Sequence, residues 1–104
     1  MARFDVFENP NEKTNQSMPY LLDVQSDLLD NLATRVVVPL IAASAMGTPI
    51  KHLNPEFLIK NHTVFMSTAE LAGIPIRSLG EKVGSLTEKR DEIIPALDFI
   101  FTGF

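Results

Sequence analysis

Side chains able to do chemistry are few and widely spaced in this chain. Asp23, Asp27 and Asp30 are the nearest approach to a carboxylate cluster. A calcium loop needs a glycine-marked turn between its oxygen ligands, and this segment has none. In a strand-to-loop segment the spacing does not converge the three carboxylates on one point, so they are expected to be solvated acids rimming a turn. His52 and His62 lie ten positions apart in predicted loops. Zinc needs further ligands, and with no cysteine in the chain none is at hand, so both are expected as surface histidines and no metal or cofactor site is expected. Gly80-Glu-Lys-Val-Gly84 lacks the Gly-Lys-Ser/Thr ending that cradles phosphate, and no Gly-Xaa-Ser-Xaa-Gly elbow occurs. Glu88, Lys89, Arg90, Asp91 and Glu92 form a mixed-charge run that reads as a wet helix face. Cleavage of a phosphodiester would need a general base beside a cationic stabiliser. Arg35, Arg77 and His52 are the only loose candidates, and nothing in their spacing gathers them. Catalysis has no visible carrier.

The elements that would position these residues read as strands first and a helix last. Residues 3–7 alternate, placing Phe4 and Val6 on one strand face. Glu8 to Pro19 holds almost nothing to bury and is expected as a turn and exposed loop. Tyr20 to Val24 resumes the strand pattern, with Tyr20, Leu22 and Val24 on one side and Leu21, Asp23 and Gln25 on the other. Arg35 to Ile41 is the most apolar run, and Pro39, lacking a donor, predicts a sheet edge, bulge or strand end there. Phe57 to Ile59 and Thr63 to Met66 flank Lys60-Asn61-His62 as a hairpin, because Asn tolerates positive φ. Glu70 to Gly73 reads as a turn before a last strand over Ile74–Leu79, closed by Gly80. From Thr87 the period becomes helical through Ile93, Ile94, Leu97, Ile100 and Phe101, with Thr87 or a Ser85–Glu88 capping box at its start. Pro95 predicts a kink, or a helix that starts late, since it removes the bond to the Asp91 carbonyl. Five or six antiparallel strands and one C-terminal helix result.

At 104 residues the chain is one domain with a modest core. Nine Lys and Arg against thirteen Asp and Glu give a net charge of −4, a poor footing for nucleic-acid binding by the chain alone. No stretch approaches the roughly 20 apolar residues of a membrane span, and the N-terminus lacks the basic start and apolar run of a signal peptide. A soluble, cytoplasmic protein is expected. The ending Leu97-Asp-Phe-Ile-Phe-Thr-Gly-Phe104 is unusually apolar for a chain terminus. Two readings stand there: a helix docked with its last aromatic buried, or a partner-binding tip or homodimer seam.

Four blocks in order, Leu22-Asp-Val-Gln-Ser-Asp-Leu-Leu-Asp30, Arg35-Val-Val-Val-Pro-Leu40, Ile74-Pro-Ile-Arg-Ser-Leu-Gly80 and Phe101-Thr-Gly-Phe104, resemble the CcdB family, the toxins of CcdA/CcdB toxin–antitoxin modules. The resemblance runs from Phe4 to Phe104. It implies a mainly β fold, a small SH3-like barrel or roll of antiparallel strands with one C-terminal α-helix, assembled as a homodimer. It implies no enzyme, but a toxin that binds the DNA gyrase A subunit and traps gyrase on cleaved DNA. A CcdA-type antitoxin would neutralise it, and the pair would repress their operon with the antitoxin contacting operator DNA. Residue by residue, the gyrase-binding surface carries over to Leu28 and Leu29, and to Asp98, Thr102, Gly103 and Phe104 on the last turn and tail. The best-known members carry Trp where this chain has Thr102, and Asn where it has Asp98. A lost hot-spot Trp costs a few kcal/mol of affinity. Two alternatives follow: a ribonuclease toxin of the related MazF and Kid type, and a toxin that has lost activity and only binds antitoxin.

Overall fold

A computed structural model describes residues 1–103, and Phe104 lies outside the described residues. Seven strands form one antiparallel sheet: β1 (Asp5–Glu8), β2 (Tyr20–Asp23), β3 (Thr34–Ala42), β4 (Glu56–Ile59), β5 (His62–Met66), β6 (Ala72–Pro75) and β7 (Lys82–Ser85). The order is β4-β5-β3-β2-β1-β7, with β6 paired to β3. Among the described residues one α-helix, α1 (Arg90–Thr102), follows the strands. The sheet bends into a half-barrel around a single core. Phe4, Val6, Tyr20, Leu22, Val24, Val38, Leu40, Val64 and Met66 meet Ile93 and Ala96 of α1 there.

The expected hairpin forms as β4–β5, and its connection is tighter than expected. Lys60 and Asn61 both take positive φ, 48° and 66°, and His62 already pairs with Ile59 as the first residue of β5. Two left-handed residues suit the right-handed twist of the flanking strands. Pro39 is neither at an edge nor at a strand end. It sits inside β3 opposite Leu21. Its carbonyl accepts the Ser67 N–H at 2.9 Å, and the amide nitrogen of a strand residue faces the same side as its carbonyl. On that side β6 has ended at Val37 and β5 begins only at Leu40, so no ladder bond is missing.

The strand expected over Ile74–Leu79 is corrected. Pairing with β3 begins at Ala72 and stops at Pro75, and Ile76–Ser78 is a single 3-10 turn. Gly80 does not end the sheet but makes its last strand possible. A Cβ on Gly80 would lie 2.6 Å from the Glu8 carbonyl oxygen, which accepts the Gly80 N–H at 2.9 Å. Only glycine permits that approach, and from it the chain enters β7 along β1. The first strand likewise begins later than expected, at Asp5, after Phe4 turns the chain with φ 73°.

The helix also starts late. Thr87–Lys89 is a 3-10 turn, and α1 follows from Arg90. Ser85 Oγ accepts the Thr87 N–H at 3.2 Å, so the cap serves the short turn rather than α1. Pro95 lies on the exposed side, in the second turn of an uninterrupted helix, where water can take the Asp91 carbonyl. Among the described residues, no helix is long and apolar enough to cross a membrane.

Candidate functional site

Leu28 and Leu29 ride on a 3-10 turn, Asp27–Leu29, that follows β2. Nothing apolar about the turn anchors it: Leu28 is 92% exposed and Leu29 51%. What fixes it is the polar half of the Asp23-Val-Gln-Ser-Asp27 block. Ser26 Oγ accepts the Leu28 N–H at 3.2 Å, an N-cap for the turn. Gln25 Nε2 donates to the Leu29 carbonyl at 2.8 Å, while Gln25 Oε1 accepts the Val36 N–H of β3 at 3.0 Å. One amide thereby ties the turn to the sheet. Asp27 Oδ1 accepts the Arg3 N–H at 2.9 Å.

Under the turn lies a buried ion pair. Asp23 and Arg35 have no accessible surface. Arg35 Nε donates to Asp23 Oδ2 at 2.9 Å, and Nη2 stands 2.7 Å from the same oxygen as an ion pair without hydrogen-bond alignment. Nη1 reaches outward to Asp30 Oδ1 at 2.8 Å, just past the turn. Asp23 Oδ1 accepts the Gln25 N–H at 3.0 Å. Burial pushes the Asp23 carboxyl above the usual carboxylate range, opposed by the Gln25 N–H and by Arg35. Asp23 is therefore not the solvated acid expected; only Asp27 and Asp30 are exposed. Its buried partner stands twelve residues away on the neighbouring strand, and removing Arg35 leaves the Asp23 carboxylate buried and uncompensated, at about 3–5 kcal/mol.

The second predicted patch is the end of α1. Asp98, Thr102 and Gly103 are exposed. Thr102 Oγ1 is turned back onto its own helix, donating to the Asp98 carbonyl at 2.6 Å. Gly103 caps the helix at φ 79° and donates its N–H to the Phe99 carbonyl at 2.9 Å. Phe104, the remaining predicted residue, is outside the described residues.

Of the predicted residues, only Leu29 shares a cleft with the last turns of α1, through residues that the carry-over left out. A cleft of about 310 Å³ is lined by Leu29 and by Phe101 and Leu97 of α1, with Val36, Leu71 and Val24 between them. Phe101 is 70% exposed and Ile100 stands at 36%, so the last turn presents apolar surface, while the last aromatic, Phe104, lies outside the described residues. The apolar ending was the available signal for Phe101. Leu28 does not line this cleft. It faces a second one of about 390 Å³ with Arg3, Arg90, Phe4 and Asp27. Asp98, Thr102 and Gly103 line neither. A further concavity of about 450 Å³ lies elsewhere, on Met18, Leu21, Val37, Pro39 and Ile74, and touches none of the predicted site residues.

Arg35 is fully buried and committed to two aspartates, while His52 is exposed beside Asp91, Glu92 and the exposed Pro95. Among the described residues, no three His, Asp or Glu side chains group to hold a metal.

The molecule is a small antiparallel β domain with two exposed leucines on a hydrogen-bonded turn, one of which, Leu29, shares a cleft with the apolar end of the helix. The CcdB protein family model matches residues 3–103, and the chain belongs to that family of toxins. A similar solved structure, described as an endoribonuclease in complex with its cognate antitoxin from a mycobacterial species, superposes with a TM-score of 0.76. The match covers 97% of this chain and 94% of that one, at 14% identity, and shows the shared fold.

Proposed function

We propose that this protein is a non-enzymatic toxin that binds the A subunit of DNA gyrase and holds gyrase on cleaved DNA. Leu28 and Leu29 form one part of the contact, and Asp98, Thr102, Gly103 and Phe104 at the helix end form the other. The observation that carries this reading is the presentation of Leu28: a 92% exposed leucine on a turn whose backbone is tied down on every side. An exposed leucine gains about 1.5–3 kcal/mol when a partner covers it, and a fixed turn loses little entropy on binding. The protein acts as a homodimer, so that the surface is doubled about a two-fold axis for a two-fold target. A CcdA-type antitoxin neutralises it, and the pair represses the operon with the antitoxin supplying the DNA contacts, which suits a chain of net charge −4.

Of the three loose candidates for a ribonuclease, Arg35 is fully buried and meets no phosphate, while Arg77 and His52 are exposed. Binding of purified gyrase A subunit to the wild type, Leu28→Asp and Leu29→Asp tests the proposal. Each variant is expected to lose at least about 2 kcal/mol of affinity, roughly thirtyfold, with an unchanged circular dichroism spectrum. Wild-type affinity in both folded variants would remove this patch from the contact.

A further inference from the structure

The cleft beside Leu28 has a charge arrangement that the apolar reading does not use. Two guanidiniums centre on one aromatic ring: Arg3 Cζ lies 5.0 Å and Arg90 Cζ 6.0 Å from the Phe4 centroid. Both side chains line the same cleft as Leu28. Arg3 commits only its Nε, to the Val24 carbonyl at 3.1 Å. Among the described residues its terminal nitrogens make no hydrogen bond or ion pair, and neither does any side-chain atom of Arg90. Among the described residues the one carboxylate on the cleft is Asp27, which spends Oδ1 on the Arg3 backbone N–H. Two cations and one anion leave the cleft net positive in a chain of net charge −4.

Like charges brought together without a carboxylate partner are an arrangement that an incoming anion relieves. A guanidinium held over a ring keeps its N–H edge for an in-plane acceptor, and its fork matches a carboxylate. We infer that this cleft receives an acidic side chain, Asp or Glu, of the protein that docks on Leu28. The inference rests on the gyrase reading and adds to it the chemistry of the neighbouring contact. A protein carboxylate fits better than a nucleic-acid phosphate for two reasons. The same cleft presents a 92% exposed leucine, which needs an apolar partner surface, and the chain as a whole repels a polyanion.

The test is the affinity of purified gyrase A subunit for wild type, Arg90→Gln, Arg90→Glu and Lys13→Glu, across about 50–300 mM NaCl. Lys13 lies in the loop after β1 and makes the same change in net charge as the second variant. Arg90→Gln is expected to weaken binding about fivefold at low salt and Arg90→Glu about twentyfold, both with a flatter salt dependence, while Lys13→Glu stays within about twofold. Equal effects of Arg90→Glu and Lys13→Glu would overturn the inference. So would a short DNA duplex that binds wild type and is lost with Arg90→Glu, since the ligand would then be phosphate. Wild type that fails to bind gyrase A at all would overturn the gyrase reading and this inference with it, a result separable from the first because no variant enters it. Arg90 is exposed and unbonded, so its variants should fold; if Arg90→Glu does not, Arg90→Gln carries the comparison.

Discussion

A single side chain, Gln25, does what the two leucines cannot do for themselves. Exposed leucines contribute nothing to holding a turn in place, so the turn depends on polar neighbours whose partners are backbone atoms of Leu28, Leu29 and Val36. Beneath Gln25 the Asp23–Arg35 pair fixes where β2 leaves the sheet, and its cost is visible in the raised pKa of Asp23. A carboxyl whose native pKa lies above its unfolded value binds its proton more tightly when folded. The stability tied to Asp23 is therefore full below the ordinary carboxylate value and is lost as pH rises through the interval up to the raised value. Denaturant unfolding of wild type and Asp23→Asn from about pH 3 to about pH 6 is expected to show this decline in wild type alone. Parallel profiles would place the pH dependence on another group.

At the scale of elements, the proposed site combines a three-residue turn with the last turn of a helix. Gly103 matters here because its left-handed φ of 79° ends α1. Deleting Gly103 and Phe104 is expected to abolish toxicity in cells while leaving unfolding within about 1 kcal/mol of wild type, since the core side of α1 is Ile93 and Ala96. A truncated protein that still kills would show that the tail is not part of the contact. Elements whose signals are local were legible in the sequence. The β4–β5 hairpin announced itself through Lys60-Asn61, and α1 through its apolar period. β7 was not legible, because Lys-Val-Gly-Ser carries one large apolar residue and becomes a strand only by pairing with β1 beyond Gly80. Asp23 was misjudged for a related reason: on a strand with both faces buried, alternation places a residue on a face but does not say whether that face meets water. Leu28, Leu29 and the helix end were reached through resemblance, and what seats them became visible only with Gln25, Arg35 and Phe101 in place.

For the whole molecule, the half-barrel alone decides nothing about activity. A fold shared at a TM-score of 0.76 with a protein described as an endoribonuclease supports more than one chemistry, and function has to be argued from the site. Here Leu28 and Leu29 are exposed, Arg35, one of the candidate groups for a nuclease, is buried, and Arg3 and Arg90 line the same cleft as Leu28. Doubling that surface in a homodimer of the 11.5 kDa chain would present two copies of the pair to a symmetric enzyme. The most direct measurement is a cleavage assay with purified gyrase, ATP, supercoiled plasmid and this protein, with and without a peptide from the C-terminal segment of a CcdA-type antitoxin. Linear plasmid should accumulate with the protein and disappear on adding the peptide. Plasmid left intact by a folded protein that still binds the peptide would contradict gyrase poisoning.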